Sequence, residues 1–99
     1  MPNPYTDKEI IQEGTGDTYT IRTFDVDVFE EELVWHRDHH PRTIHVLQGT
    51  EWKLQKDDEL PFDLVIGNEY YIPKKLYHRI IKGTGNLVIR FRKHINTRL

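Results

Sequence analysis

The sequence predicts an all-β fold, a sandwich or barrel of short antiparallel strands. Three observations predict it. Apolar and polar residues alternate with period two in one short segment after another, those segments are rich in Val, Ile, Thr and aromatic residues, and clusters of Gly, Pro, Asp and Asn separate them. Eight or nine such segments, spaced about ten residues apart, suit a closed or double-layered sheet. The chain's 99 residues have the length of one domain, 1–99, and a domain of this size buries about 60–65% of its unfolded surface. Eleven aromatic residues and no long biased tract argue against disorder.

In chain order, residues 1–5 contain Pro2 and Pro4 and read as a flexible arm or as a segment that pairs with another subunit. Thr6–Glu13 fits a turn of helix, and Glu9–Gln12 within it fits a weak strand. Gly14-Thr15-Gly16-Asp17 is turn chemistry, followed by a strand at Tyr19–Val26 and another at Glu32–Arg37. Strands follow at Thr43–Gln48 and Glu51–Gln55, separated by the turn Gln48-Gly49-Thr50. Asp57-Asp58-Glu59-Leu60-Pro61 precedes a strand at Phe62–Ile66, and Gly67-Asn68 precedes one at Glu69–Ile72. Tyr77–Ile81 and Leu87–Arg92 complete the set, divided by Gly83-Thr84-Gly85-Asn86.

Composition removes several function classes. The absence of Cys excludes disulfide frameworks, thiolate metal sites and thiol nucleophiles. The N-terminal residues lack the apolar run of a signal peptide, and no apolar stretch approaches membrane-spanning length, so a cytoplasmic location is expected. The formal charge of -2 conceals an asymmetry: residues 1–66 carry 15 Asp/Glu and 6 Lys/Arg, residues 67–99 only 1 Asp/Glu and 8 Lys/Arg. Acidic and basic strands lying side by side would explain this. So would an anion site built from Lys74, Lys75, Arg79, Lys82, Arg90 and Arg92. Net negative charge and the lack of any nucleic-acid-binding motif argue against DNA or RNA as the partner.

Five of the six histidines fall in two stretches, residues 35–49 and 67–78. On a strand, residues two apart share a face, so His36 and Asp38 point together while Arg37 points away. His78 is the best third partner, because Leu76, His78 and Ile80 alternate as an inward set against Tyr77, Arg79 and Ile81. Two imidazoles and one carboxylate on a β framework make a triad that suits Fe(II) or a similar divalent metal and leaves coordination positions open. His39 and His40 sit before Pro41 in a loop, from which His40 could replace Asp38 as a ligand. His45 is expected to pack or hydrogen-bond, and His94 to be solvated.

These two stretches resemble the paired motifs of the cupin superfamily. The first motif, His-x-His followed by Glu and Gly, is met by His36, Asp38, Arg42 and Gly49. The second, with Gly, Pro, Gly, His and Asn, is met by Gly67, Pro73, Lys75, His78 and Lys82. His36, Gly49, Gly67, Pro73 and His78 match; Asp38, Arg42, Lys75 and Lys82 depart. The wording of both stretches is also similar to uncharacterised small cupin-like proteins of marine tailed phages. The resemblance implies a cupin-type jelly-roll barrel, the double-stranded β-helix, and a metal site (Fe, Mn, Ni or Zn) on His36, Asp38 and His78. Asp38 would then supply the carboxylate lost where Arg42 replaces Glu.

Arg42 stays protonated at any working pH and has two uses. It could make a bidentate ion pair with Asp38 in place of a metal, or clamp the carboxylate or phosphate of a substrate, aided by Arg90 or Arg92. The functions left open are a metal-dependent oxygenase or isomerase acting on a small anionic molecule, a metal-free protein that binds a sugar, nucleotide or acid, and a structural barrel filled by its own side chains. The order His-x-Asp…His, with Arg90 beyond it, also resembles the 2-oxoglutarate oxygenases. Tyr77 and Arg42 are candidates for catalysis, Tyr77 with Asp38 in a metal-free isomerase or epimerase with His as base. The remaining aromatics, Trp35, Trp52, Tyr70, Tyr71 and Phe91, are expected to pack. Short edge strands and the cupin resemblance lead us to expect a homodimer.

Overall fold

The computed structural model describes residues 4–12 and 14–94, and among them eight strands and one 3-10 turn. The strands are β1 (Thr6–Ile11), β2 (Thr18–Phe24), β3 (Arg42–Thr50), β4 (Lys53–Lys56), β5 (Phe62–Asp63), β6 (Glu69–Ile72), β7 (His78–Ile81) and β8 (Thr84–Lys93), with the 3-10 turn at Glu30–Glu32 between β2 and β3. They form two antiparallel sheets, a five-stranded one in the order β1-β2-β8-β3-β6 and a three-stranded one in the order β5-β4-β7.

Alternation decides which residues meet between the sheets. Ile44 and Val46 on β3, and Leu87, Ile89 and Phe91 on β8, turn inward and are buried; so are Leu54 on β4, Ile72 on β6 and Ile80 on β7. Trp52 and Leu64, just outside strands, complete the same apolar core. Removing this much aliphatic and aromatic surface from water is the main favourable term in folding. Two glycines are required by close approach. A Cβ on Gly83 would stand 2.2–2.4 Å from main-chain atoms of Thr50, Glu51 and Trp52, and one on Gly49, whose φ is 152°, would stand 2.8 Å from the Leu87 side chain.

Several expectations change. Thr6–Ile11 is a strand rather than a turn of helix, fully paired with β2 although all its residues are exposed; Glu13 lies outside the described residues. Of the expected N-terminal arm, residues 1–3 lie outside the described residues, while Tyr5 packs its ring edge-on against Phe24 at 5.6 Å. Glu32–Arg37 is not a strand: after the 3-10 turn its β pairing among the described residues is a single bridge from His36 to His78. The expected Phe62–Ile66 strand shrinks to Phe62–Asp63: Leu64 still donates in register to the Trp52 carbonyl, but the Val65 N–H bonds to the Tyr70 hydroxyl instead of a neighbouring strand.

The charge asymmetry is partly offset across neighbouring segments, through Arg92 with Asp17 (3.6 Å). The six cations considered as one anion site are dispersed. Arg79 lies over Trp35, Lys82 donates to the Val28 carbonyl, and Arg90 and Arg92 stand on the outer face of β8. Among the described residues, no helix is long and apolar enough to cross a membrane.

Candidate functional site

His36 and His78 face each other as a hydrogen-bonded antiparallel pair. The His36 N–H donates to the His78 carbonyl at 2.9 Å and the His78 N–H to the His36 carbonyl at 3.0 Å. Residues directly opposed in such a pair carry their side chains on one face, so both imidazoles turn inward with ring centroids 4.3 Å apart. Asp38, two residues on, keeps the same side. Its position is held from the main chain, where the Lys75 N–H donates to the Asp38 carbonyl at 2.7 Å. Lys75 occupies the motif position of a glycine, and its φ of 61° shows why glycine suits that place: the turn between β6 and β7 requires the left-handed conformation.

The imidazoles are oriented by their own chain. His78 Nδ1 is 2.7 Å from the Leu76 carbonyl and His36 Nδ1 is 3.1 Å from the Val34 carbonyl. A carbonyl only accepts, so in each ring Nδ1 carries the proton and donates, which leaves the Nε2 lone pair of the neutral ring directed at Asp38. His78 Nε2 lies 3.4 Å from Asp38 Oδ2, and His36 Nε2 lies 3.7 Å from Asp38 Oδ1. The three ligand atoms all lie within 4.8 Å of one another. Three donor atoms this close repel unless positive charge joins them, and either a divalent cation or protons on the two Nε2 atoms supply it, so the donor set fits a divalent cation. Nδ1 bonds of this kind fix the ring and tautomer of a metal-binding histidine.

Arg42 supplies the competing charge. Its Nη2 is 3.4 Å from Asp38 Oδ1, a single contact rather than the bidentate pair considered from sequence, and its buried Nε has no hydrogen-bond partner among the described residues. Burial alone would raise the Asp38 pKa. Contact with His78 and the charges of Arg42, His36 and His78 outweigh burial, and the carboxyl is held below its ordinary range. Burial lowers the Arg42 pKa, Asp38 opposes that effect and Arg22 adds to it.

Beside this cluster lies a pocket of about 260 Å³ walled by Phe24, Leu33, Val34 and Ile80, with His36, Asp38, Glu32, Arg42 and Arg22 among its polar groups. The structure therefore brings together His36, Asp38, His78 and Arg42. His40, the alternative ligand, is exposed and outside the cluster. Tyr77 points away with the opposite parity, stacked on Trp35 at 5.2 Å with the Arg37 guanidinium 4.7 Å from its ring centroid, and it is not among the residues lining this pocket. Arg90 and Arg92 are separated from Arg42 by the sheet. Arg22 was missed by sequence reasoning, although its place two residues before the inward Phe24 marks it as inward. His94, expected to be solvated, is half-buried with Nε2 2.6 Å from the Thr43 hydroxyl.

No protein-family model matches the chain, and no curated protein sequence matches it. Solved structures do match. DMSP lyase DddQ from Ruegeria pomeroyi DSS-3 aligns with a TM-score of 0.73 at 13% identity, covering 97% of this chain and 49% of the lyase. A cobalt(II) form of HppE in complex with Tris buffer gives 0.69 at 14% identity, covering 95% and 55%. An RmlC-like cupin from Methanocaldococcus jannaschii gives 0.66 at 16% identity, covering 93% and 81%. The chain thus spans about half the length of the lyase and of HppE. With its antiparallel two-sheet barrel and these likenesses, the protein has the double-stranded β-helix fold of the cupins.

Proposed function

We propose that the barrel holds a divalent metal on His36, Asp38 and His78 and acts on a small anionic molecule in the adjoining pocket. The observation that carries this reading is the pair of Nδ1 bonds to the Val34 and Leu76 carbonyls, which leaves both Nε2 lone pairs converging on one carboxylate. The likeness to a lyase and to a cobalt(II)-containing protein of the same fold supports it. Two imidazoles and a carboxylate suit Fe, Mn, Ni or Zn. A metal held there supplies Lewis acidity at its open positions. The chain's own part is to keep both rings in one tautomer, to hold Asp38 ionised beside Arg42, and to exclude water with Phe24, Leu33 and Ile80. An oxygenase or isomerase reaction in a cytoplasmic homodimer related to small phage cupins belongs to the same proposal.

One observation favours a second reading. The Arg42–Asp38 contact puts a fixed cation beside the carboxylate, and in that case the pocket binds a sugar, nucleotide or acid without metal. The test is bound metal per chain, by mass spectrometry, on protein purified without chelator or affinity metal, alongside His78→Gln and Asp38→Asn. Near-stoichiometric metal in the wild type, lost by at least ten-fold in both variants, is expected. Metal-free wild-type protein that gains no thermal stability from Fe(II), Mn, Ni or Zn overturns the metal reading and leaves the second.

A further inference from the structure

Arg22 has no part in the cupin motifs, yet it stands at the mouth of the pocket beside Arg42. Its guanidinium is held rigidly. Nε and Nη2 donate to the two carboxylate oxygens of Asp7 on β1 at 2.8 and 2.9 Å, and the Arg22 plane lies 3.6 Å from the Tyr5 ring centroid. Arg22 and Arg42 also share the ring of Phe91, at 4.8 and 4.9 Å from its centroid. Two guanidinium groups are therefore fixed in one small pocket, one of them with a buried Nε that has no partner among the described residues. Like charges this close repel, and a buried polar N–H without a partner is costly. An anion in the pocket that bridges the two relieves their repulsion, although the Arg42 Nε itself is buried out of its reach.

The rest of the pocket limits what that anion is. Phe24, Leu33, Val34 and Ile80 form an apolar wall. A volume of about 260 Å³ corresponds to roughly eight or nine waters, at about 30 Å³ each, so the occupant has about that many non-hydrogen atoms. Asp7 takes Nε and Nη2 of Arg22, which leaves Nη1 for a ligand, while Arg42 faces the same space from the Asp38 side. One oxygen to each arginine matches a carboxylate, and guanidinium is the side chain suited to that geometry.

We propose that Arg22 and Arg42 together form a carboxylate subsite, and that the pocket takes a short-chain monocarboxylic acid whose hydrocarbon body lies against Phe24, Leu33, Val34 and Ile80. This rests on the reading of the pocket as a small-molecule site but does not require the metal.

The experiment is titration calorimetry of acetate, butyrate and hexanoate, with inorganic phosphate and butylamine as controls. Wild type, Arg22→Gln, Arg22→Lys and Val34→Trp are compared, each with chelator and again with added Mn(II), and thermal melting confirms folding. Butyrate is expected to bind the wild type more tightly than acetate or phosphate. Arg22→Gln should weaken it ten-fold or more, Arg22→Lys should restore part of the loss, and Val34→Trp, which narrows the apolar end, should lose hexanoate more than acetate. Binding that is unchanged in folded Arg22→Gln overturns the subsite, since the metal or Arg42 alone would then account for it. Phosphate binding at least as tightly as butyrate overturns the carboxylate class, and no binding in either condition overturns the inference. Carboxylate binding that needs Arg22 but no metal upholds it even where the metal reading fails.

Discussion

A histidine–arginine–acid cluster lies on each side of the large sheet, and the two behave differently. On the inner side, His78 is 3% exposed and Asp38 and Arg42 are largely buried, while the His36 side chain is 44% exposed. On the outer face, Tyr19, Thr43, His45, Glu69, Arg90 and Arg92 surround a polar hollow of about 110 Å³. The residue types are nearly the same. In the outer cluster His45 Nδ1 faces Arg90 Nη2 at 3.3 Å and Glu69 at 3.6 Å, partners that solvent can replace. In the inner cluster each Nδ1 is committed to a main-chain carbonyl, which cannot swing away. Chemistry at a histidine thus depends less on which charges are near than on what fixes the second ring nitrogen.

The sharpest way to break this comparison is to cut into the two faces of β8. Leu87→Ala, which empties a fully buried position, is expected to cost about 3 kcal/mol in urea unfolding, whereas Val88→Ala on the outer face should cost about 1 kcal/mol or less. Next come the acids. Asp38→Ala leaves Arg42 without its counter-charge and should destabilise by about 2 kcal/mol; Glu69→Ala, an exposed partner of His45, should stay within about 0.5 kcal/mol. Equal losses at Asp38 and Glu69 would remove the distinction between the faces. The smallest effect is expected at the turn below the inner cluster. Lys75→Gly relieves a left-handed φ and should raise stability by roughly 0.5 kcal/mol, seen as a small rise in the denaturation midpoint.

Much of this was legible in the sequence, for a simple reason: period-two alternation reports which residues share a face. It identifies β2, β3, β4, β6, β7 and β8 and pairs His36 with Asp38, and it sets His78 against Tyr77. The same rule, applied to Leu87, Ile89 and Phe91, already sends Arg90 and Arg92 outward, and applied to Phe24 it sends Arg22 inward. Those two signals were present in the pattern but were outweighed by net charge, which carries no direction. The loss of a strand at Glu32–Arg37 was not legible, because one bridge to His78 and a continuous ladder ask for the same local alternation.

By itself, then, the sequence determined an all-β chain, its turns, and the inward set His36, Asp38 and His78, since side-chain direction along a strand is a local property of the backbone. Tertiary structure decided the rest. It brought His36 opposite His78, tied Asp38 to Lys75, aimed both Nε2 atoms at one carboxylate, and gathered Arg22 from β2 and Arg42 from β3 over Phe91 from β8. These are relations between segments far apart in the chain. No local pattern encodes them, because they exist only once strand order and register have been set by burying the common core.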